Sequence, residues 1–179
     1  LLHEYFEQIK DYVSGDDVRT INWKATAKRG ELMINQFQDE KSQPVYSIID
    51  ASRVMKMPFN GLTLLDYAIN SSLAFSNIAL KKNDKTGLLT FSNTIHNHLA
   101  ASSKKTHLNT ILEVLYSIST NFLDSDFGRL YAEVKRKITH RSLLLLYTNF
   151  EHSSALQRQL PYLKGLSQKH VLVVIFFEN

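Results

Sequence analysis

Asp50 and Ser52 end a short apolar run, Val45 to Ile49 (V-Y-S-I-I), and an acid with a hydroxyl two residues on is a pattern that can do chemistry. A run of this length, rich in β-branched and aromatic residues, reads as a buried strand. Ligands of open α/β sheets bind outside the carboxyl ends of the strands. Thr148 and Asn149 end a second such run, Leu143 to Tyr147, and Thr106 stands in the loop before a helix. In a parallel sheet these loops can share one edge and offer several oxygen ligands to a hard divalent cation such as Mg²⁺ or Mn²⁺. The plainer reading is that they are polar residues turning the chain after a strand. His96, His98 and His107 can be drawn as a metal cluster or as exposed hairpin histidines, and no H-E-x-x-H is present. There is no G-x-S-x-G, no G-x-x-x-x-G-K-[ST] and no G-x-G-x-x-G, and six glycines support phosphate-cradling loops poorly.

The elements that must position these residues alternate between strand and helix from Val45 onward. Thr63 and Asp66 form a capping box with Asp in place of Glu, opening a helix to about Leu80 with Leu65, Ile69 and Leu73 on one face. Thr86 to Ser92 is the second strand, and Thr94 to Leu99 its hairpin partner. Helices follow from Thr106 (a fair N-cap) and over Phe127 to Thr139. After the strand at Leu143, Ser153 or Ser154 caps a helix that Pro161 limits. Val171 to Phe177 is the last strand. This order predicts βαβ units, a mostly parallel sheet and helices on both faces. Residues 1–43 do not fit that pattern. Tyr12 to Asp17 is a turn, Asp16 and Asp17 open a short helix running toward Trp23, and Glu31 to Phe37 is a strand that can extend the edge of the main sheet.

The 179 residues suit one ordinary domain, and an apolar fraction of 44% allows a full core. The absence of cysteine excludes disulfides, thiolate metal sites and cysteine nucleophiles. The apolar runs fall far short of the roughly 20 residues a membrane helix needs. A net charge of +4 is mildly basic. Lys and Arg are spread along the chain with no long basic run, so no nucleic acid partner is expected. The start at Leu1 and the end at Asn179, directly after a strand, suggest a piece of a longer protein truncated at its C-terminus.

Asp50-x-Ser52 after an apolar strand resembles the start of the metal-ion-dependent adhesion site of von Willebrand factor A domains, and Thr86 to Ser92 resembles their next strand. The stretch from Asp11 through Gly15-Asp16-Asp17, Arg19, Asn22-Trp23-Lys24 and Arg29-Gly30-Glu31-Leu32 resembles the signature of the DUF58 family, which precedes a von Willebrand A-like region. The resemblance implies an α/β, von Willebrand A-like domain over residues 44–179, with the signature segment 1–43 packing on it. It implies a non-enzymatic interaction module, acting with a MoxR-type AAA+ ATPase. It also implies a place on the cytoplasmic side as part of a membrane-linked protein.

The departures from the pattern weaken the metal site. Val54 stands at the third ligand position, Asn149 replaces the strand-end Asp, and Thr106 matches the later Thr only loosely, so Asp50, Ser52, Thr106 and Asn149 form a degenerate set. Ser14 stands where the signature has Pro, and Asn22 where it has an acid. Asp16, Asp17, Arg19 and Trp23 either build a partner-facing surface or cap and pair locally while Trp23 packs away. Two other functions stay open: a hydrolase-type enzyme using Asp50 with a nearby His, and a basic surface for nucleic acid or anionic lipid, which would require clustered Lys and Arg.

Overall fold

The computed structural model describes residues 4–39, 43–120 and 122–177, so the ends noted at Leu1 and Asn179 lie outside it. The chain divides into two compact units, Leu1–Ser42 and Gln43–Asn179, each described by itself.

In the first unit, β1 (Glu4–Asp11) pairs antiparallel with β2 (Met33–Asp39). β1 carries no clear alternation, and only its partner, 22 residues downstream where Asp11 pairs with Met33, reveals it as a strand. β2 therefore belongs to a two-stranded sheet instead of extending the main one. The predicted helix ending near Trp23 is also corrected. Residues Val18–Thr20 make a single 3₁₀ turn, and α1 (Trp23–Arg29) begins at the tryptophan. Ile21 is drawn into a bridge with Ile34, which stops the first turn. Asn22 then caps the helix, accepting from Ala25 N–H at 3.0 Å and donating to Asn35 Oδ1 at 2.8 Å. Gly30 closes α1 at φ +80°, a left-handed conformation that favours glycine.

The second unit has the predicted α/β architecture. β3 (Val45–Asp50) leads into a 3₁₀ turn at Arg53–Lys56 and a small hairpin, β4 (Pro58–Phe59) with β5 (Leu62–Thr63). Then come α2 (Leu64–Lys81), β6 (Thr86–Phe91), β7 (Ile95–Ser102), α3 (His107–Ser117) and α4 (Phe127–Lys137). β8 (Leu143–Tyr147), α5 (Ser153–Ser167) and β9 (Val171–Ile175) complete it. The sheet order is β7-β6-β3-β8-β9, with β7 antiparallel and the other four strands parallel. The capping box at Thr63 is present with both reciprocal bonds, Asp66 Oδ2 accepting from Thr63 N–H at 2.8 Å.

Strand alternation splits the core into two layers. Ile48, Leu89, Leu144 and Leu146 pack with Leu130 and Val134 of α4 and Leu163 and Leu166 of α5. Ile49, Leu88, Leu145 and Tyr147 pack with Leu64 and Leu65 of α2 and Ile111 and Leu115 of α3. Gly87 is required by a close approach: a Cβ there would strike the Tyr46 ring and stand 2.9 Å from the Leu99 carbonyl. Pro161 does not limit its helix; α5 runs through it to Ser167. Proline removes one backbone donor, but here it lies on an exposed face, while Leu163 and Leu166 beyond it anchor the last turns in the core.

Candidate metal and partner-binding edge

The carboxyl ends of β3, β6, β8 and β9 form one edge of the main sheet, because the four strands run parallel. Asp50 lies there with no exposed surface. Its Oδ1 accepts from Ser52 N–H at 2.9 Å, and its Oδ2 accepts from Ser125 Oγ at 2.6 Å and Thr148 Oγ1 at 2.7 Å. Ser125 Oγ also lies 2.8 Å from Ser52 Oγ. Burial pushes the Asp50 carboxyl above its usual range, and the bonds from Ser125, Ser52 and Thr148 hold part of that rise back. Asn149, next along from Thr148, is buried. Its Nδ2 makes a long contact of 3.8 Å with Met57 Sδ, while Oδ1 has no hydrogen-bond partner among the described residues.

Thr106 is not at this edge. β7 runs back against β6, pairing Ser102 with Thr86 at the amino end of the sheet, and Thr106 follows it there, exposed, at the start of α3. The predicted hairpin at Thr94 already turned the chain round. The hydroxyl that joins Asp50 is Ser125, in the loop Asp124-Ser125-Asp126 ahead of α4. Sequence reasoning passed over that loop because it has no apolar period. The available signal was the N-cap acid before the helix: Asp126 Oδ1 accepts from Arg129 N–H at 2.9 Å. Backbone bonds from Asp126 N–H to Ser92 O (2.9 Å) and from Arg53 N–H to Leu123 O (3.0 Å) tie this loop to the strand ends.

The oxygen set of Asp50, Ser52, Ser125, Thr148 and Asn149 suits a hard cation in kind and falls short in charge. It holds one carboxylate, already accepting three hydrogen bonds. Three further acids of this edge are engaged elsewhere: Asp124 and Glu151 by Arg53 at 3.2 Å each, and Asp126 by Arg129 at 3.2 Å. Among the described residues no three His, Asp or Glu side chains gather where a metal could bind. The histidines are dispersed. His96 Nε2 is 2.7 Å from Ser92 Oγ, His98 Nδ1 is 3.1 Å from Glu133 Oε1, and His107 sits at the opposite edge with Thr106.

In the first unit, Asp16 accepts from Val13 N–H and Lys10, Asp17 caps the 3₁₀ turn and holds Arg19 at 2.9 Å, and Trp23 is 69% exposed. The three charged residues pair locally, and these bonds hold both Asp carboxyls below their ordinary range. The tryptophan does not pack away.

The sequence matches the family described as "Protein of unknown function DUF58" over residues 8–176. The chain belongs to the DUF58 family. No curated protein matches this DUF58 chain in sequence. Among solved structures it is similar to BatB from Bacteroides thetaiotaomicron, described as a conserved hypothetical protein (TM-score 0.54, 17% identity, 74% of this chain and 65% of that one). It is similar to the SpRpn10 VWA domain (0.53, 11%, 76% of each chain). It is also similar to an aerotolerance-related membrane protein from Bacteroides fragilis (0.50, 18%, 74% and 66%). This DUF58 chain thus spans just under two thirds of the two Bacteroides chains, and its fold is that of a von Willebrand A domain.

Proposed function

We propose that this DUF58 chain is a non-enzymatic protein-interaction module that receives its partner at the carboxyl edge of the main sheet. The observation that carries this reading is an apolar rim around a sealed polar centre. Met57, Phe59, Leu62, Phe122, Leu123 and Phe176 are each between 36% and 75% exposed, and all sit on the loops or the β4–β5 hairpin that follow the strand ends. Exposed apolar groups gathered around polar ones mark interaction surfaces. Asp50 beneath them has no open face with which to meet a substrate. Beside it, Ser125, Asp126, Arg158 and Tyr162 line a groove of about 470 Å³. Likeness to a VWA domain supports an interaction role. A MoxR-type AAA+ ATPase is the partner the family resemblance suggests, in a cytoplasmic setting linked to a membrane. One of the similar structures is described as a membrane protein.

On this reading the adhesion site is degenerate, and Mg²⁺ or Mn²⁺ binds weakly at most. The deciding experiment measures binding of the chain to a purified MoxR-type ATPase, with and without Mg²⁺, beside the variants Phe122→Asp/Leu123→Asp and Asp50→Ala. Binding that persists without metal and falls at least about tenfold in the rim variant, as expected when central apolar contacts are lost, supports the proposal. Binding that needs Mg²⁺ and Asp50 would restore a working metal site. Binding indifferent to the rim would move the interface, with Trp23 and its neighbours on α1 the next surface to test.

A further inference from the structure

We infer that the amino-end edge of the main sheet is a docking surface for anionic phospholipid headgroups. The charge of the second unit is sorted by the topology. Each helix that crosses from a strand's carboxyl end returns the chain to the amino end, and each return carries cations. Lys81 and Lys82 end α2, Lys85 precedes β6, and Lys104 and Lys105 precede α3. Lys135, Arg136 and Lys137 close α4, and Arg141 leads into β8. Lys164 lies in the last turn of α5, and Lys169 precedes β9. Eleven of the fifteen Lys and Arg in residues 43–179 therefore stand at one edge, all exposed. Of the eight described Asp and Glu in the same residues, Asp84 stands in the loops of that edge and Glu133 lies on α4 just before Lys135. Among the described residues Arg136 alone of the eleven is ion-paired, to Glu133.

The chemistry of the cluster favours a headgroup layer over nucleic acid. Nine of the eleven are lysines, strongly hydrated point charges suited to diffuse attraction, whereas the arginine fork is the usual reader of nucleic acid. The loops of this edge, 82–85, 103–106, 138–142 and 168–170, hold no Phe, Tyr or Trp on which bases could stack. Helices meet the edge only by their ends, so none lies along it to enter a groove. The cations come from the α2/α3 layer and from the α4/α5 layer, which spreads them across the breadth of the sheet. Clusters of Lys and Arg of this size are held at anionic leaflets by the surface potential.

The inference is independent of the partner reading, because the apolar rim lies at the opposite edge. The test is co-sedimentation of the chain with vesicles of phosphatidylcholine alone and with about one-third phosphatidylserine. The expected result is binding to the anionic vesicles only, lost at about 0.5 M salt as the charges are screened. Lys104→Glu/Lys105→Glu should weaken it by at least about twenty-fivefold, roughly fivefold per lysine. Lys56→Glu/Arg158→Glu, an equal change of net charge at the other edge, should weaken it by less than about threefold. No binding to anionic vesicles, equal loss in both variants, or tighter binding to a DNA duplex than to the vesicles at the same salt would each overturn it. The salt series on the unaltered chain decides the matter even where a variant folds poorly.

Discussion

At the carboxyl edge of the sheet most of the charges are held. Arg53 lies between Asp124 and Glu151, Arg129 holds Asp126, and Asp50 takes three donors while losing all contact with solvent. At the amino edge the charges are mostly positive and ten of the eleven cations have no ion pair among the described residues. The first edge has polar groups arranged to satisfy one another, so its charge contributes to the fold and leaves apolar rings and aliphatic side chains to face outward. The second edge gathers repulsion that the fold does not offset. A surface that gathers like charge and pairs only one of its eleven cations with an acid among the described residues is most simply explained by something outside the chain.

The contrast can be broken most sharply at Asp50. Ser125→Ala/Thr148→Val removes two hydrogen bonds to a buried carboxylate, each worth about 1.5–3 kcal/mol when the acceptor is charged. The pair should lower unfolding free energy by about 3–6 kcal/mol, read as a shift in urea midpoint at unchanged slope. A loss below about 1 kcal/mol, no more than one ordinary surface change, would mean the cluster is not what organises this edge.

A second break uses pH. Burial raises the folded-state value of Asp50 above its unfolded value. The stability linked to this group is therefore fully present below the unfolded value, near 3.9, and is lost as pH rises through the folded one. Asp50→Asn carries no such titration. The stability of the variant relative to the parent should rise across that window by about 1.4 kcal/mol per unit of separation and then level off. Parallel pH curves for the two proteins would show that the burial of Asp50 is not expressed in its titration.

Much of this was legible in the order of residues. Buried strands such as Val45–Asp50 and Leu143–Tyr147 are continuous apolar runs between polar ends, and their type follows from composition alone. The cap at Thr63 is a local motif and was readable for the same reason. Asp50 and Ser52 were found because each ends or follows a strand. Ser125 was not, because its place beside Asp50 depends on where two helices and a hairpin carry the chain. Thr106 was misplaced by the same cause in reverse. The lysines looked scattered because their spacing, in groups near 81–85, 104–105, 135–141 and 164–169, is the spacing of the crossovers. Topology turns that linear dispersion into one edge.

A smaller effect is expected at Arg53, whose ion pairs with Asp124 and Glu151 involve side chains from 37% to 81% exposed. Exposed pairs contribute about 0–1 kcal/mol. Arg53→Met should cost no more than about 1 kcal/mol in thermal or urea unfolding, and less as salt rises. A loss of several kcal/mol would show that the guanidinium organises the Asp124–Asp126 loop, and that the carboxyl edge depends on charge pairing as much as on the Asp50 cluster.

The smallest change separates stability from function at the amino edge. Lys104 and Lys105 stand just before α3, at the end where the helix dipole is positive, and Thr106 makes no side-chain cap. Cations there oppose the dipole, and they also repel Lys81, Lys82 and Lys85 of the same edge. Both effects have the same sign, so Lys104→Gln/Lys105→Gln should stabilise the fold, by about 0.3–1 kcal/mol at low ionic strength. The gain should shrink as salt screens it. Measured beside vesicle binding, the variant should be the more stable protein and the weaker binder. A variant that is less stable would mean these lysines serve the fold through contacts of their own, and the difference between the two edges would no longer point to a ligand.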